Sequence, residues 1–182
     1  MAVKTEIRLT GSGGQGLILA GIILAEAAIT EGLNAIQTQS YGPEARGGAS
    51  KAEVIISDLD IDYPKVDQAD LILSLTQAAA NTYLKTVKST GTAIVDSSVT
   101  VPEGVAAARI IQVPIIETAS KGLGKAIVSN IVALGFIAEY TGLVTRDSVE
   151  KAVLSRVPKG TEDLNRSALN EGYKLARQVL NQ

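Results

Sequence analysis

The chain has 182 residues with a formal net charge of −2, 46% apolar, 20% charged and 3% aromatic residues, and neither cysteine nor histidine. Those proportions describe a globular chain folding as one domain, 1–182, and they argue against nucleic acid, which needs a basic face or stacking aromatics, and against an anionic membrane surface. Without cysteine or histidine there is no disulfide, thiolate nucleophile or cluster ligation, and no side chain that titrates near neutrality, so the chain is expected to shape a site for chemistry done elsewhere.

Ile7 to Leu9 close a first strand, stopped by the run Gly11-Ser12-Gly13-Gly14-Gln15-Gly16. Leu17 to Thr30 reads as a helix that is apolar nearly all round, hence buried on most sides, with Gly32 as its cap. Its longest apolar stretch contains Glu26 and is too short to span a bilayer, and no signal-peptide pattern precedes it, so a cytoplasmic protein is expected. Ala35 to Ser40 is a second strand and Ala52 to Ile56 an alternating third. The turn Ser57-Asp58-Leu59-Asp60 leads to Ile61 and Tyr63, read as a hairpin partner for that third strand.

Asp70 to Leu75 is apolar enough for a sheet interior covered on both faces. Gln77 to Lys88 reads as an amphipathic helix, Thr92 to Val95 as a strand ending at Asp96, and Arg109 to Ile116 as the last strand, interrupted by Pro114. The rest is helical: Ala126 to Tyr140, Arg146 to Val157 (ended by Pro158) and Leu164 to Leu180. Strands alternating with helices define an α/β fold. The expected form is a three-layer α/β/α sandwich, Rossmann-like, with a largely parallel sheet and a mixed, hairpin part.

Gly11, Gly13 and Gly16 match the spacing of the dinucleotide fingerprint, between a strand and a helix as that motif requires. Backbone N–H groups at such a helix start can hold an anion. The second strand should then end in a ribose-gripping acid, yet Gln37-Thr38-Gln39-Ser40 is uncharged. NAD is therefore disfavoured, which leaves a tight packing turn or another anionic ligand. A nucleotide-hydrolase phosphate loop is excluded, because Leu17-Ile18 stand where Lys-Ser/Thr would be.

The second informative stretch is Ser40-Tyr41-Gly42-Pro43-Glu44-Ala45-Arg46-Gly47-Gly48, between two strands. Glu44 and Arg46 either form an internal ion pair, or Arg46 meets a phosphate or carboxylate while Gly47 and Gly48 let another backbone approach. Asp58-Leu59-Asp60-Ile61-Asp62 invites a calcium reading, but Tyr63 replaces the loop glycine and Ala69 the bidentate glutamate, so a solvated hairpin edge is expected. Lys121-Gly122-Leu123-Gly124-Lys125 lacks the Ser or Thr of a phosphate cradle and reads as a flexible loop. Asn130, on an apolar helix, reads as a satisfied structural amide or a ligand contact.

The two glycine motifs, with Leu17-Ile18-Leu19-Ala20-Gly21, Ile61-Asp62-Tyr63-Pro64, Ala69-Asp70-Leu71-Ile72 and Asn130-Ile131-Val132-Ala133-Leu134-Gly135, resemble the gamma subunit of 2-oxoacid:ferredoxin oxidoreductases over essentially the whole chain. The resemblance implies a non-autonomous subunit of an enzyme that converts a 2-oxoacid and coenzyme A to acyl-CoA and CO2. Electrons pass through iron–sulfur clusters to ferredoxin. It implies thiamine diphosphate and Mg2+ on alpha and beta partner subunits, clusters on beta or a small ferredoxin-like delta subunit, and no cofactor bound by this chain alone. It assigns no catalytic residue here. Gly11, Gly13, Gly14, Gln15, Gly16 and Asn130 would form a ligand or interface site. Ser40, Glu44, Arg46, Gly47 and Gly48 would face the partner subunits or coenzyme A. The Gly-Pro-Glu form of the loop leans toward 2-oxoglutarate or branched-chain oxoacids over pyruvate. Two other classes stay open: a stand-alone Rossmann-type nucleotide-binding protein, and a purely structural subunit that touches no ligand.

Overall fold

The structure, a computed structural model, describes residues 4–39 and 48–182. Six strands form one sheet in the order β2-β3-β1-β4-β5-β6. They are β1 (Lys4–Ser12), β2 (Asn34–Gln39), β3 (Ala49–Ser57), β4 (Ala69–Ser74), β5 (Val87–Asp96) and β6 (Arg109–Val113). β1, β4, β5 and β6 run parallel, and β3 runs antiparallel to both of its neighbours. Helices α1 (Leu17–Thr30), α4 (Ser129–Thr141), α5 (Arg146–Arg156) and α6 (Glu162–Leu180) cover one face. Among the described residues the other face carries α2 (Gln77–Tyr83) and connecting segments, so the outer layers of the sandwich are unequal.

Alternation along β1 explains the two faces. Ile7 and Leu9 enter the core beneath α1, while Arg8 points to the opposite side, where it is 4% exposed. The α1 helix buries Ile23 and Leu24 completely, and burying each such side chain is worth roughly 1.5–3 kcal/mol. Gly32 ends it at φ 81, with Leu33 N–H donating to Ala28 and Gly32 N–H to Ile29, the paired bonds of a glycine-terminated helix. The α4 helix is buried continuously from Ser129 to Ala138 because it lies between the sheet-side core and α6. Gly135 and Gly172 let those two helices touch backbone to backbone: a Cβ on Gly172 would come within 2.7 Å of Phe136 N.

Four expectations change. Ile61 and Tyr63 form no hairpin with β3, whose edges are already taken by β1 and β2. Their segment instead crosses the second face, where Val66 enters the core and its carbonyl accepts from the Arg8 guanidinium. The helix read to Lys88 stops at Tyr83. A tight turn at Leu84–Thr86 buries Leu84, and parallel pairing with β4 begins at Val87. As a result β5 is longer than Thr92 to Val95. The last strand ends at Val113 rather than Ile116, because Pro114 cannot donate to a ladder and a helical turn, α3 (Ile115–Glu117), follows it. The buried carboxylate of Asp96 accepts the Ile116 N–H at 2.8 Å.

Candidate ligand and interface site

β1 feeds α1 on one face and β4 feeds α2 on the other. Neighbouring parallel strands whose connections leave to opposite faces open a crevice at their carboxyl ends, the usual ligand position of open α/β sheets. The glycine loop, 11–16, is one lip of that crevice, and Ser74-Leu75-Thr76-Gln77 is the other. Leu75 N–H donates to the Thr10 carbonyl at 3.0 Å. The Thr10 and Ser74 hydroxyls lie 2.7 Å apart at its base, both fully buried. Thr76 caps α2 by accepting the Ala79 N–H.

The loop itself turns through left-handed backbone at Gly14 (φ 87) and Gly16 (φ 71). Gly13 and Gly14 are exposed, Gln15 and Gly16 half-buried, and Gly11 buried. The Gln15 side chain folds back so that its Oε1 accepts the Ser12 N–H at 2.8 Å. From the other direction Asn130, 5% exposed at the start of α4, donates through Nδ2 to the Gly16 carbonyl at 3.1 Å. Of the two readings open for Asn130, its observed bonds are those of a satisfied structural amide.

The register of β3 brings the second motif to the same place. Gly11 faces Ser50 and Ser12 faces Ala49, so half-buried Gly48 stands beside the glycine loop. Ser40, Glu44, Arg46 and Gly47 lie outside the described residues. Beside the loop, a cleft of about 310 Å³ opens between α1, the entry to α4 and the α5–α6 corner. Leu19, Ile127, Val128, Ile131, Val157 and Leu164 give it apolar walls, and Ile127 at its edge is 76% exposed.

Other candidates separate from this end. Asp58, Asp60 and Asp62 are exposed in an irregular segment, and among the described residues no group of acids is arranged to hold a metal ion. Lys121 pairs with Glu117 at 2.9 Å. Helical winding runs from Thr118 through Lys121 to Gly122, and Leu123 and Lys125 N–H donate to the Thr118 and Ala119 carbonyls, so the first part of the expected loop is helical. The sequence reading missed Thr10, Ser74 and the apolar cleft. A signal existed for the first two, hydroxyl residues closing adjacent apolar strands. The cleft is assembled from three distant helices and had no local signal.

The site thus combines a helix start and an apolar cleft over a buried, mutually bonded hydroxyl pair, with no acid–base pair among its described residues. Fold and site together define a doubly wound α/β protein with a glycine loop at the carboxyl end of its sheet. The pyruvate ferredoxin/flavodoxin oxidoreductase family profile matches residues 6–175, and the chain belongs to that family, as a gamma-type subunit of a 2-oxoacid:ferredoxin oxidoreductase. It is 44% identical over 180 residues to 2-oxoglutarate synthase subunit KorC of Methanocaldococcus jannaschii, covering 97% of this chain and 96% of that one. With KorC of Methanothermobacter thermautotrophicus it shares 46% over 180 residues, covering 95% of each. The crystal structure of the keto/oxoacid ferredoxin oxidoreductase gamma subunit from Geobacter sulfurreducens superposes with a TM-score of 0.85 at 48% identity, over 97% of this chain and 98% of that chain.

Proposed function

We propose that this chain forms the coenzyme A side of a cytoplasmic, thiamine-diphosphate-dependent 2-oxoacid:ferredoxin oxidoreductase, with 2-oxoglutarate as the oxoacid. In that enzyme the 2-oxoacid and coenzyme A become acyl-CoA and CO2, and the electrons go to ferredoxin. Thiamine diphosphate, Mg2+ and the iron–sulfur clusters belong to the alpha, beta and ferredoxin-like partners, and this chain acts as one domain that supplies shape and backbone donors. One observation carries the reading: the glycine loop and the near end of the second motif stand side by side, Ser12 opposite Ala49, at the switch point of the sheet. The near-full-length likeness to two subunits named for 2-oxoglutarate supports the choice of oxoacid. Gly13 and Gly14 would approach the ligand or a partner backbone, and Arg46, two residues after Glu44, would meet an anionic group.

The test is a reconstituted complex assayed anaerobically for coenzyme-A-dependent viologen reduction with 2-oxoglutarate, 2-oxoisovalerate, pyruvate and indolepyruvate in turn. Activity confined to 2-oxoglutarate is expected. Arg46→Ala is expected to raise the Michaelis constant for coenzyme A; unchanged constants, turnover and assembly would remove that residue from the site.

A further inference from the structure

The two outer glycines of the fingerprint are each overlaid by a side-chain amide. A Cβ on Gly11 would collide with Gln15 Oε1 and come within 2.8 Å of Leu17 Cδ1. One on Gly16 would stand 2.5 Å from Asn130 Nδ2 and 3.1 Å from its Cγ. At Gly14, by contrast, a Cβ meets nothing within 4 Å. Space at Gly11 and Gly16 is therefore reserved for amides of this chain, and the open tip of the loop is at Gly13 and Gly14.

We propose that Gln15 and Asn130 are positioning residues that clamp the two ends of the glycine loop and so set where Gly13 and Gly14 stand in the assembled enzyme. Gln15 fixes the β1 end by accepting from Ser12 N–H, and Asn130 fixes the α1 end by donating to Gly16. The Gly16 carbonyl also accepts the Ala20 N–H at 3.0 Å, so the Asn130 bond is made to the first turn of α1 itself. Asn130 therefore gears α1 to α4, and α4 is locked to α6 through Gly135 and Gly172. The α1 end of the loop is thereby tied to this helical layer. Its kinetic consequence rests on the reading that the loop faces coenzyme A.

The experiment uses the assembled complex with Asn130→Asp, Gln15→Leu and Gln15→Glu. Asn130→Asp keeps the shape but turns a donor toward Gly16 into an acceptor. Gln15→Leu deletes an acceptor that Gln15→Glu retains. Loss of one such hydrogen bond should raise amide exchange across residues 12–18 by roughly three- to tenfold in Asn130→Asp and Gln15→Leu. Exchange in Gln15→Glu should stay at the parent level, since the carboxylate still accepts from Ser12 N–H. The Michaelis constant for coenzyme A should rise by a similar factor while that for the 2-oxoacid stays put. The Asn130→Asp defect should shrink as pH falls and the carboxyl regains a proton to donate.

Unchanged exchange in either Asn130→Asp or Gln15→Leu overturns the two-ended clamp, as does loosening spread evenly over α4 and α6, which would mark a general loss of stability. Local loosening with no change in any kinetic constant overturns the positioning role. Arg46→Ala judges the coenzyme A reading separately, because Arg46 lies on the other motif. Gln15 sits on the half-exposed loop, so its variants keep the test open even if Asn130→Asp does not assemble.

Discussion

Arg8 and Glu53 face each other across β1 and β3, with Arg8 Nε donating to Glu53 Oε1 at 2.7 Å on the thinly covered face of the sheet. Both are buried, at 4% and 7% exposure, and the same guanidinium reaches Thr86 Oγ1 and the Val66 carbonyl. One side chain thus ties the central strand to two crossing segments. Removing the carboxylate while leaving the guanidinium buried should be costly: Glu53→Ala is expected to lose about 3–5 kcal/mol in urea unfolding. A loss below about 1 kcal/mol, the range of exposed pairs, would mean that Thr86, the Val66 carbonyl and water satisfy the guanidinium without the carboxylate.

The α4–α6 crossing should tolerate no extra methyl. Gly172→Ala drives a Cβ into Val132 O and Phe136 N, so the helices must separate, at a cost of roughly 1–3 kcal/mol. Gly122→Ala, whose Cβ would meet only Thr118 Cγ2 at 4.0 Å, should stay within about 0.5 kcal/mol. Chemical denaturation of both variants decides the point, and equal stabilities would contradict the close contact.

Acid should destabilise the fold through pairs that hold carboxylates below their ordinary value of 4.5. For Glu139 the cause is the Arg146 hydrogen bond, which outweighs partial burial. For Glu6 burial opposes ionisation, but Lys88 and Lys4 prevail. Groups with lowered folded pKa stabilise above the unfolded value and lose that contribution as pH falls through the folded one. Unfolding free energy should therefore be flat near neutrality and decline below about pH 5, with a shallower decline in Glu139→Gln. Parallel pH profiles for the two proteins would show that Glu139 does not contribute.

Tyr173 should add an alkaline limb. Burial pushes its phenol up to about 12, with Glu150 and Glu139 adding to the rise and the Arg146 guanidinium, 4.9 Å from its ring, opposing it. A raised folded pKa contributes stability that is complete below the unfolded value of 10.0 and disappears as pH climbs through about 12. Tyr173→Phe should flatten the stability profile across that window; an unaltered profile would assign the alkaline limb to other groups.

Much of the architecture was legible locally. Leu17 to Thr30 is helical over the span read from its apolar run, and Gly32 ends it, because helix bonds and caps join residues within four or five positions. The apolar β4 declared itself as an interior strand. Where neighbours in sequence were not neighbours in space, the reading failed: Ile61 and Tyr63 look like the return strand of a hairpin, yet β2 and β1 had already taken the edges of β3. The helix read to Lys88 failed similarly, since Lys88 belongs to β5 and bonds to Glu6 and Asp70 on other strands.

The amino-acid sequence by itself determined the strand–helix alternation, the absence of thiol and imidazole chemistry, and the two glycine motifs by which the family is recognised. Only the tertiary structure decided that β3 inserts antiparallel between β2 and β1, bringing Gly48 and Ala49 beside Ser12. It likewise decided that Asn130, 114 residues away, closes on Gly16. Strand order and long-range hydrogen bonds are settled by burial and pairing across the whole chain, and each competes with alternatives that look equally good within a short window.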